Sequence, residues 1–471
     1  MNTGDLPPEE FRAALHRVAD WIADYRGEIA SRAVAPSIQP GTIAAQLPAS
    51  APDAGEPLDS ILADFDRVIL PGIVHWGHPS FLAYFGNTTT APGILAEALA
   101  AALNVSAMTW RTSPAATELE TTVLQWMQQM LGLPERFRGV VYDTASISTL
   151  HALAAARHEA FPDSRREGTS GGPRLRLYTS DQGHSHIDKA AIALGIGEAN
   201  VRRIATDAEF RVIPAALRTA IEEDLAAGFR PLAVVATLGT TSTTSVDPLP
   251  EIAAITRQHR LWLHVDAAYG GALALLPEGR WVFDRIEHAD SIVINPHKWL
   301  FVPLDFSTLY LRAPEKLRAV FSLVPEYLAG DAAGAEINYM DYGLQLGRRF
   351  RALKAWFVFR AFGREGLEAR IREHCRLAQL FASWVKAESG FEVLAPVKMG
   401  VVCFRTTGSE SNTLNRHIVE SINAGGEAYL THTMLRGTVA IRLGLGNVLT
   451  EEHHLAAAWE LIKQTAQRLR G

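Results

Sequence analysis

The chain lacks much of what several protein classes require. Two cysteines in 471 residues, Cys375 and Cys403, cannot staple a disulfide scaffold, and their helical and strand-like contexts suit reduced core thiols in a cytoplasmic protein. No excess of basic charge exists: 45 Lys and Arg stand against 51 Asp and Glu, a formal charge of −6 with pI near 6.3, which argues against nucleic-acid or anionic-membrane partners. The first ten residues have neither a basic region nor an apolar core, so no signal peptide is expected. The longest apolar stretch, Ala91 to Met108, is interrupted by Pro92, Glu97 and Asn104 and reads as a buried helix rather than a membrane span. No internal repeat and no His-Glu-x-x-His occur, and Gly444-Leu445-Gly446-Asn447 is too short for a dinucleotide fingerprint.

What is present is an ordinary globular balance, 48% hydrophobic and 20% charged, enough for one large domain with attachments or for two or three domains. Residues 10 to 33 space Phe11, Leu15, Val18, Trp21, Ile22 and Tyr25 as a helix does. Val34 to Pro57 is rich in Pro, Ala and Gly without periodicity, and an arm so poor in its own apolar face is expected to lie on a partner subunit. A second helix is expected from Leu58 to Ile69.

From Gly139 strand and helix patterns alternate. Strands are expected at Val140–Tyr142, Leu175–Tyr178, Leu232–Leu238, Leu261–Val265, Ser291–Ile294 and Ser307–Leu311. Helices fit at Thr149–Phe161, Ile187–Leu194, Pro214–Ala227 and Leu249–His259, so the fold class is α/β around a mostly parallel sheet. Helices at Arg349–Phe362, Leu367–Glu388 and Glu451–Leu469, with strands at Val401–Phe404 and Thr438–Leu443, make a smaller C-terminal α/β domain. The expected division is 1–90 for an N-terminal helical dimerisation arm, 91–350 for a large domain and 351–471 for the small one.

Two strand ends carry the chemistry. The buried run Ser291-Ile292-Val293-Ile294 is followed by Asn295-Pro296-His297-Lys298-Trp299, and Leu261-Trp262-Leu263-His264-Val265 ends in Asp266. In a parallel sheet both ends open on the cleft at the carboxyl edge. A cleft amine and a cleft carboxylate are what pyridoxal phosphate (PLP) needs: the amine bonds its aldehyde, and the carboxylate keeps its pyridine nitrogen protonated. Either residue alone would more simply be a solvated lysine or a strand-end cap. Thr144-Ala145-Ser146, between a strand and a helix, suits either phosphate binding or plain N-capping. His184 follows another strand and suits stacking on a ring face, while His184 and His186 together also have the spacing of a metal pair. Gly239-Thr240-Thr241 ends a further strand, as a turn or with hydroxyls on the same cleft.

These residues resemble the group II PLP-dependent decarboxylases, most closely the aromatic L-amino acid decarboxylases. The likeness runs almost end to end, through Pro71-Gly72-Ile73-Val74-His75-Trp76, Ala83-Tyr84-Phe85, Ser113-Pro114-Ala115, Thr117-Glu118-Leu119-Glu120 and Ser180-Asp181-Gln182 with His184. It continues through Ala236–Thr241, Trp262–Tyr269, Asn295–Leu300 and Gly347-Arg348-Arg349-Phe350-Arg351. The resemblance implies the PLP-dependent transferase fold type I and an obligate homodimer with shared active sites. It implies that Lys298 carries the cofactor, Asp266 pairs with the ring nitrogen, and His184 and Ala268 cover the two ring faces. Ala145, Ser146, Asn295 and His297 would surround the phosphate, with Thr241 near the ring and substrate.

A proton must replace carbon dioxide on the substrate carbon. In the family a loop tyrosine falls eight residues before the Gly of the Gly-Arg-Arg-Phe match, which here is Tyr339, with Tyr342 as the competing choice. Tyr339 lies in Leu328 to Asp341, a stretch with the composition of a lid.

The implied pocket departs from the aromatic pattern in places. Trp76, Tyr84 and Phe85 match an aromatic wall, and Gly86 replaces a proline. Ser106 and Met108 stand where bulkier residues are expected from the second subunit, and Leu304 where an aromatic is common, so the pocket should be roomy. No arginine among these positions is placed to recognise a side-chain carboxylate. The expected reaction is decarboxylation of an aromatic L-amino acid to its amine. The alternatives are an aldehyde synthase, which Tyr339 disfavours because phenylalanine is typical there, a decarboxylase of a non-aromatic amino acid, a metal hydrolase using His184 and His186, and a non-catalytic dimeric module.

Overall fold

The computed structural model describes residues 5–323 and 336–470. They form two compact units, one of residues 1–86 with 405–471 and one of residues 87–404.

The second unit is built on seven strands: β1 Arg138–Tyr142, β2 Leu175–Ser180, β3 Val201–Ile204, β4 Arg230–Thr237, β5 Trp262–Asp266, β6 Ser291–Ile294 and β7 Ser307–Leu311. Their order is β1-β7-β6-β5-β4-β2-β3. The neighbours from β6 to β3 are all parallel, and β7 runs antiparallel to both β6 and β1. β5, β6 and β7 are buried at every residue, because helices cover the sheet; that is why they read as continuous apolar runs. β3 was not expected. Its Val-Arg-Arg-Ile sequence hides it, and it lies at the sheet edge, where Arg202 pairs with Asp224 and Arg203 with Asp188. This is the mostly parallel α/β sheet expected from the sequence, with β7 as the antiparallel exception.

The expected helices at Arg349–Phe362 and Leu367–Glu388 meet at Gly363, whose φ of 61° and ψ of 175° break an otherwise continuous helix, Ala352–Ala387. That backbone region is essentially open to glycine alone. Gly239, just past β4, is glycine for a different reason. At φ 101° a Cβ there would come within 2.9 Å of the Gly270 backbone nitrogen. Cys403 is buried and its thiol donates to the Ser242 carbonyl, while burial pushes the half-buried Cys375 thiol up to about 12.

Two expectations change. The helix Ala91–Leu103 is not buried all round: Leu95, Leu99 and Leu103 are 61%, 49% and 59% exposed, and their spacing places them on one face. The Pro/Ala/Gly-rich stretch is not wholly unsupported by its own chain. In the first unit the buried Val34 donates its N–H to the Gly426 carbonyl, accepts from His75 N–H, and packs on Phe81 and Ala83. The rest of that unit includes the helix Pro8–Glu28, the helix Leu58–Asp64 with a wider turn continuing to Ile69, the helices Ser411–Gly425 and Glu452–Arg470, and an antiparallel hairpin of Thr431–Leu435 with Thr438–Gly444. No described helix is long and apolar enough to cross a membrane.

Candidate active site

Asp266 is the last residue of β5, and Lys298 lies on the four-residue helix Pro296–Trp299 that follows β6. The parallel pairing of β5 and β6 sets Asp266 opposite Val293, so both residues come out at the same edge. The loops after the strands are stitched together by main-chain bonds. Leu238 N–H donates to the Asp266 carbonyl, Ala267 N–H to Val293, and Asn295 N–H to Ala268. Trp299, fully buried, fixes the short helix from below. Its ring stacks on Tyr269 at 4.6 Å and its indole N–H donates to His374 Nδ1 at 3.0 Å. Lys298 is thus a half-buried side chain on a rigid base.

Asp266 is 5% exposed and accepts the Ala268 N–H at 3.1 Å. Burial acts to raise its carboxyl, but His186, Lys298, the Ala268 amide and His264 outweigh it and hold it below the usual carboxylate range. The group is therefore a carboxylate throughout the neutral range. His184 presents an exposed face, and burial of the remainder pushes its imidazole down, with Asp266 acting the other way and Lys298 adding to the fall. Lys298, Asp266 and His184 thus act on one another electrostatically, as a single group.

Beneath Asp266 lies a layer that the sequence did not announce. His264 is fully buried; its Nε2 meets Thr149 Oγ1 at 3.1 Å, its Nδ1 meets Ser291 Oγ at 2.8 Å, and Trp262 Nε1 donates to the same hydroxyl. Burial lowers His264 to about 3, so the layer is neutral.

On the other side, Ala145 packs with Ala268 and Val293. Ala145 opens the helix Ala145–Ala160, which starts four residues before the expected Thr149. The capping alternative for Thr144 is not realised: its hydroxyl and N–H both bond Asp143 instead of closing the helix end. Ser146 is exposed beside Ala145. Free amides at a helix start are suited to an anion. His297, 4% exposed, accepts the Phe306 N–H on Nδ1, which leaves its other nitrogen as the donor, and burial lowers it to about 3. Asn295 is buried with an Oδ1 that finds no hydrogen-bond partner. Thr241 is exposed just past Gly239 and Thr240. A cluster of amine, carboxylate and aromatic nitrogen, next to an uncapped helix start and an orphaned buried amide oxygen, fits a phosphorylated pyridine.

The remaining candidates are described within their own units. In the first unit Trp76 stacks on Tyr84 at 5.4 Å, the two being 37% and 48% exposed, and Gly86 is buried. Arg442 escaped the sequence reading: it donates to the Tyr84 carbonyl at 2.6 Å and lies 4.8 Å from the Phe85 ring, so its guanidinium is committed to shaping this aromatic segment. In the second unit Leu304 is 57% exposed.

Tyr339 sits in a buried socket. It is 4% exposed, its hydroxyl lies 2.9 Å from Thr121 Oγ1, and the Arg348 guanidinium covers its ring at 4.7 Å. Arg348 in turn pairs with buried Glu120 at 2.7 Å and donates to the Ala107 and Val141 carbonyls. Ser106 and Met108 belong to the same socket, accepting the Arg348 and Met340 backbone N–H groups. Burial raises the Tyr339 phenol, as does Glu120, while Thr121 and Arg348 act to lower it. The expected lid is described only from Glu336 on; residues 328–335 lie outside the described ones, and of the described end Glu336 and Ile337 are exposed while Tyr339, Met340 and Asp341 are buried.

Comparison with known proteins shows the family. The family profile described as "Pyridoxal-dependent decarboxylase conserved domain" fits residues 40–407. A tryptophan decarboxylase of Camptotheca acuminata is 40% identical over 98% of this chain and 96% of its own. A phenylacetaldehyde synthase of Arabidopsis thaliana is 39% identical over 98% and 97%. The crystal structure of Oryza sativa TDC with PLP and tryptamine superposes with a TM-score of 0.97, at 37% identity over all of both chains. Fold, strand-end residues and sequence together place the chain in the family of pyridoxal-dependent decarboxylases, with PLP as its cofactor.

Proposed function

We propose that the protein decarboxylates aromatic L-amino acids, releasing carbon dioxide and the corresponding amine. The observation that carries this reading is the Lys298, Asp266 and His184 group at the strand edge, whose one fixed carboxylate and one amine match the cofactor's two ends. The bound cofactor supplies the electron sink for the pair released when carbon dioxide departs. The chain's residues do the rest. Lys298 holds the cofactor, and Asp266 keeps a proton on its pyridine nitrogen. His184 and Ala268 would cover the two faces of the ring and, with the pocket, orient the substrate for loss of its carboxylate. Ala145, Ser146, Asn295 and His297 hold the phosphate, and Thr241 borders the ring. Trp76, Tyr84 and Phe85 favour a flat apolar side chain, with Gly86, Ser106, Met108 and Leu304 leaving room for it.

The same reading includes a homodimer, with 1–90 as its arm, 91–350 as the cofactor domain and 351–471 as the small domain. Two exposed apolar stripes support it: Leu95, Leu99 and Leu103 on one helix, Phe11 and Leu15 on another. Sedimentation of the loaded enzyme is expected to give a dimer; an active monomer would refute this. A cytoplasmic location is part of the same reading.

The relatives at 40% and 39% identity comprise both amine-forming and aldehyde-forming enzymes, so the product decides between them. A product screen in air with tryptophan, 5-hydroxytryptophan, phenylalanine, tyrosine, DOPA, histidine and glutamate should yield amines from the aromatic set. Glutamate as best substrate would overturn the pocket reading, and aldehyde with peroxide would replace amine formation. The screen also identifies the proton donor. The segment up to Tyr342 holds three tyrosines, Tyr327, Tyr339 and Tyr342, of which Tyr327 lies outside the described residues. A positioned acid contributes roughly 10²–10⁴-fold. Tyr339→Phe should convert amine into aldehyde and peroxide if Tyr339 is the donor. Unchanged amine in that variant, with loss in Tyr327→Phe or Tyr342→Phe, would move the role and leave Tyr339 as an anchor on Thr121.

A further inference from the structure

His186 opens the helix His186–Ala193 and is 3% exposed. Its Nδ1 faces His184 Nδ1 at 2.8 Å, and its Nε2 lies 3.7 Å from Asp266 Oδ2 with no hydrogen-bond partner. The charges around it come from every side: Asp266, Lys298, His184 and, on its own helix, Asp188. Burial pushes its imidazole down to about 4, against the pull of Asp266, so each of the two rings has one proton to place.

Two placements are possible. If His186 donates to His184, its Nε2 turns a lone pair toward a buried carboxylate, the least favourable contact available. If His184 donates, His186 Nε2 carries its hydrogen toward Asp266. The cost is the bond from the His186 backbone N–H to His184 Nδ1, 3.1 Å long and between neutral groups. A hydrogen turned toward a buried carboxylate is attracted by its charge where a lone pair is repelled, and at 3.7 Å in a buried site that difference outweighs one bond between neutral groups, so the second placement prevails.

We propose that His186 is a positioning residue that fixes the tautomer of His184: His184 Nδ1–H donates to His186 Nδ1, His186 Nε2–H points at Asp266, and His184 Nε2 is left bare. Asp266, His186 and His184 then form one relay that holds the His184 ring at a set angle. The proton placement stands on geometry alone; its consequence for turnover rests on the proposed roles of Asp266 and His184.

The test is long-range ¹H–¹⁵N NMR of the ¹⁵N-histidine-labelled, cofactor-loaded protein, with kinetics alongside. His184 should show a protonated Nδ1 and a bare Nε2. His186→Gln should keep this pattern, since its amide can donate to Asp266 and accept from His184; His186→Phe should lose it. In His186→Phe kcat should fall roughly 10–100-fold, as when other orienting partners are removed, with KM within about twofold and the cofactor's absorption retained; His186→Gln should recover part of the loss. A His184 protonated at Nε2 in the unaltered protein overturns the proposal, as does an unchanged pattern in His186→Phe. If the substrate screen yields no amine the proposed function fails, yet the NMR pattern still reports on the relay, so the two failures are distinguishable.

Discussion

Lys298→Ala should lose turnover by roughly 10⁴-fold or more, the scale seen when a covalently acting group is deleted. The loss should be chemical rather than structural. Lys298 is half-buried, and the helix carrying it is fixed by Trp299 and by the main-chain bond of Lys298 N–H to Asn295, neither of which needs the lysine side chain. Thermal unfolding of the cofactor-free variant should therefore match that of the cofactor-free parent. Borohydride should trap the cofactor on the parent protein and fail to do so on the variant. Normal turnover in Lys298→Ala would remove the lysine from the mechanism.

Replacing Asp266 should produce the second large effect, and its size should depend on the substituent. Asp266→Asn keeps the volume and the acceptor for the Ala268 N–H, so what it removes is charge. Losing a preorganised electrostatic partner of that kind costs roughly 10²–10³ in kcat. Asp266→Ala goes further, because it also takes the counter-charge from Lys298 and leaves a hole at the buried end of β5; weaker cofactor retention should accompany the lost activity. Asp266→Glu should keep part of the rate. Because the carboxyl is held below its usual range, the parent's activity should not fall through protonation of Asp266 anywhere near neutrality; that loss belongs to acid below the ordinary carboxylate range. Full activity in Asp266→Ala would end this assignment.

What the sequence made legible, and what it did not, follows from distance along the chain. β5 and β6 could be read because both are buried, unbroken apolar runs, and each delivers its functional residue within four positions of its end. The phosphate end could be half read: Thr144-Ala145-Ser146 was visible, but only the structure shows the threonine bonded to Asp143 with the helix start left open. The Tyr339 socket was invisible. Tyr339 meets Thr121 across 218 positions and Arg348 meets Glu120 across 228, so a loop composition was all that local reading could see. Arg442 bonds Tyr84 across 358 positions and was missed for the same reason. His186 was under-read: the sequence offered it only as half of a metal pair with His184, disfavoured for want of an acidic or cysteine ligand, and did not show that the two Nδ1 atoms face each other at 2.8 Å.

The two cysteines bear on how the enzyme is handled. Thiolate is the species that air and alkylating reagents attack: Cys375 is pushed up to about 12, and Cys403 is buried out of reagents' reach with its thiol on the Ser242 carbonyl. Inactivation during storage or turnover in air should therefore not be rescued by dithiothreitol, and iodoacetamide should leave the folded enzyme active. Oxygen sensitivity, if observed, would then report on the chemistry at Lys298 and not on the thiols.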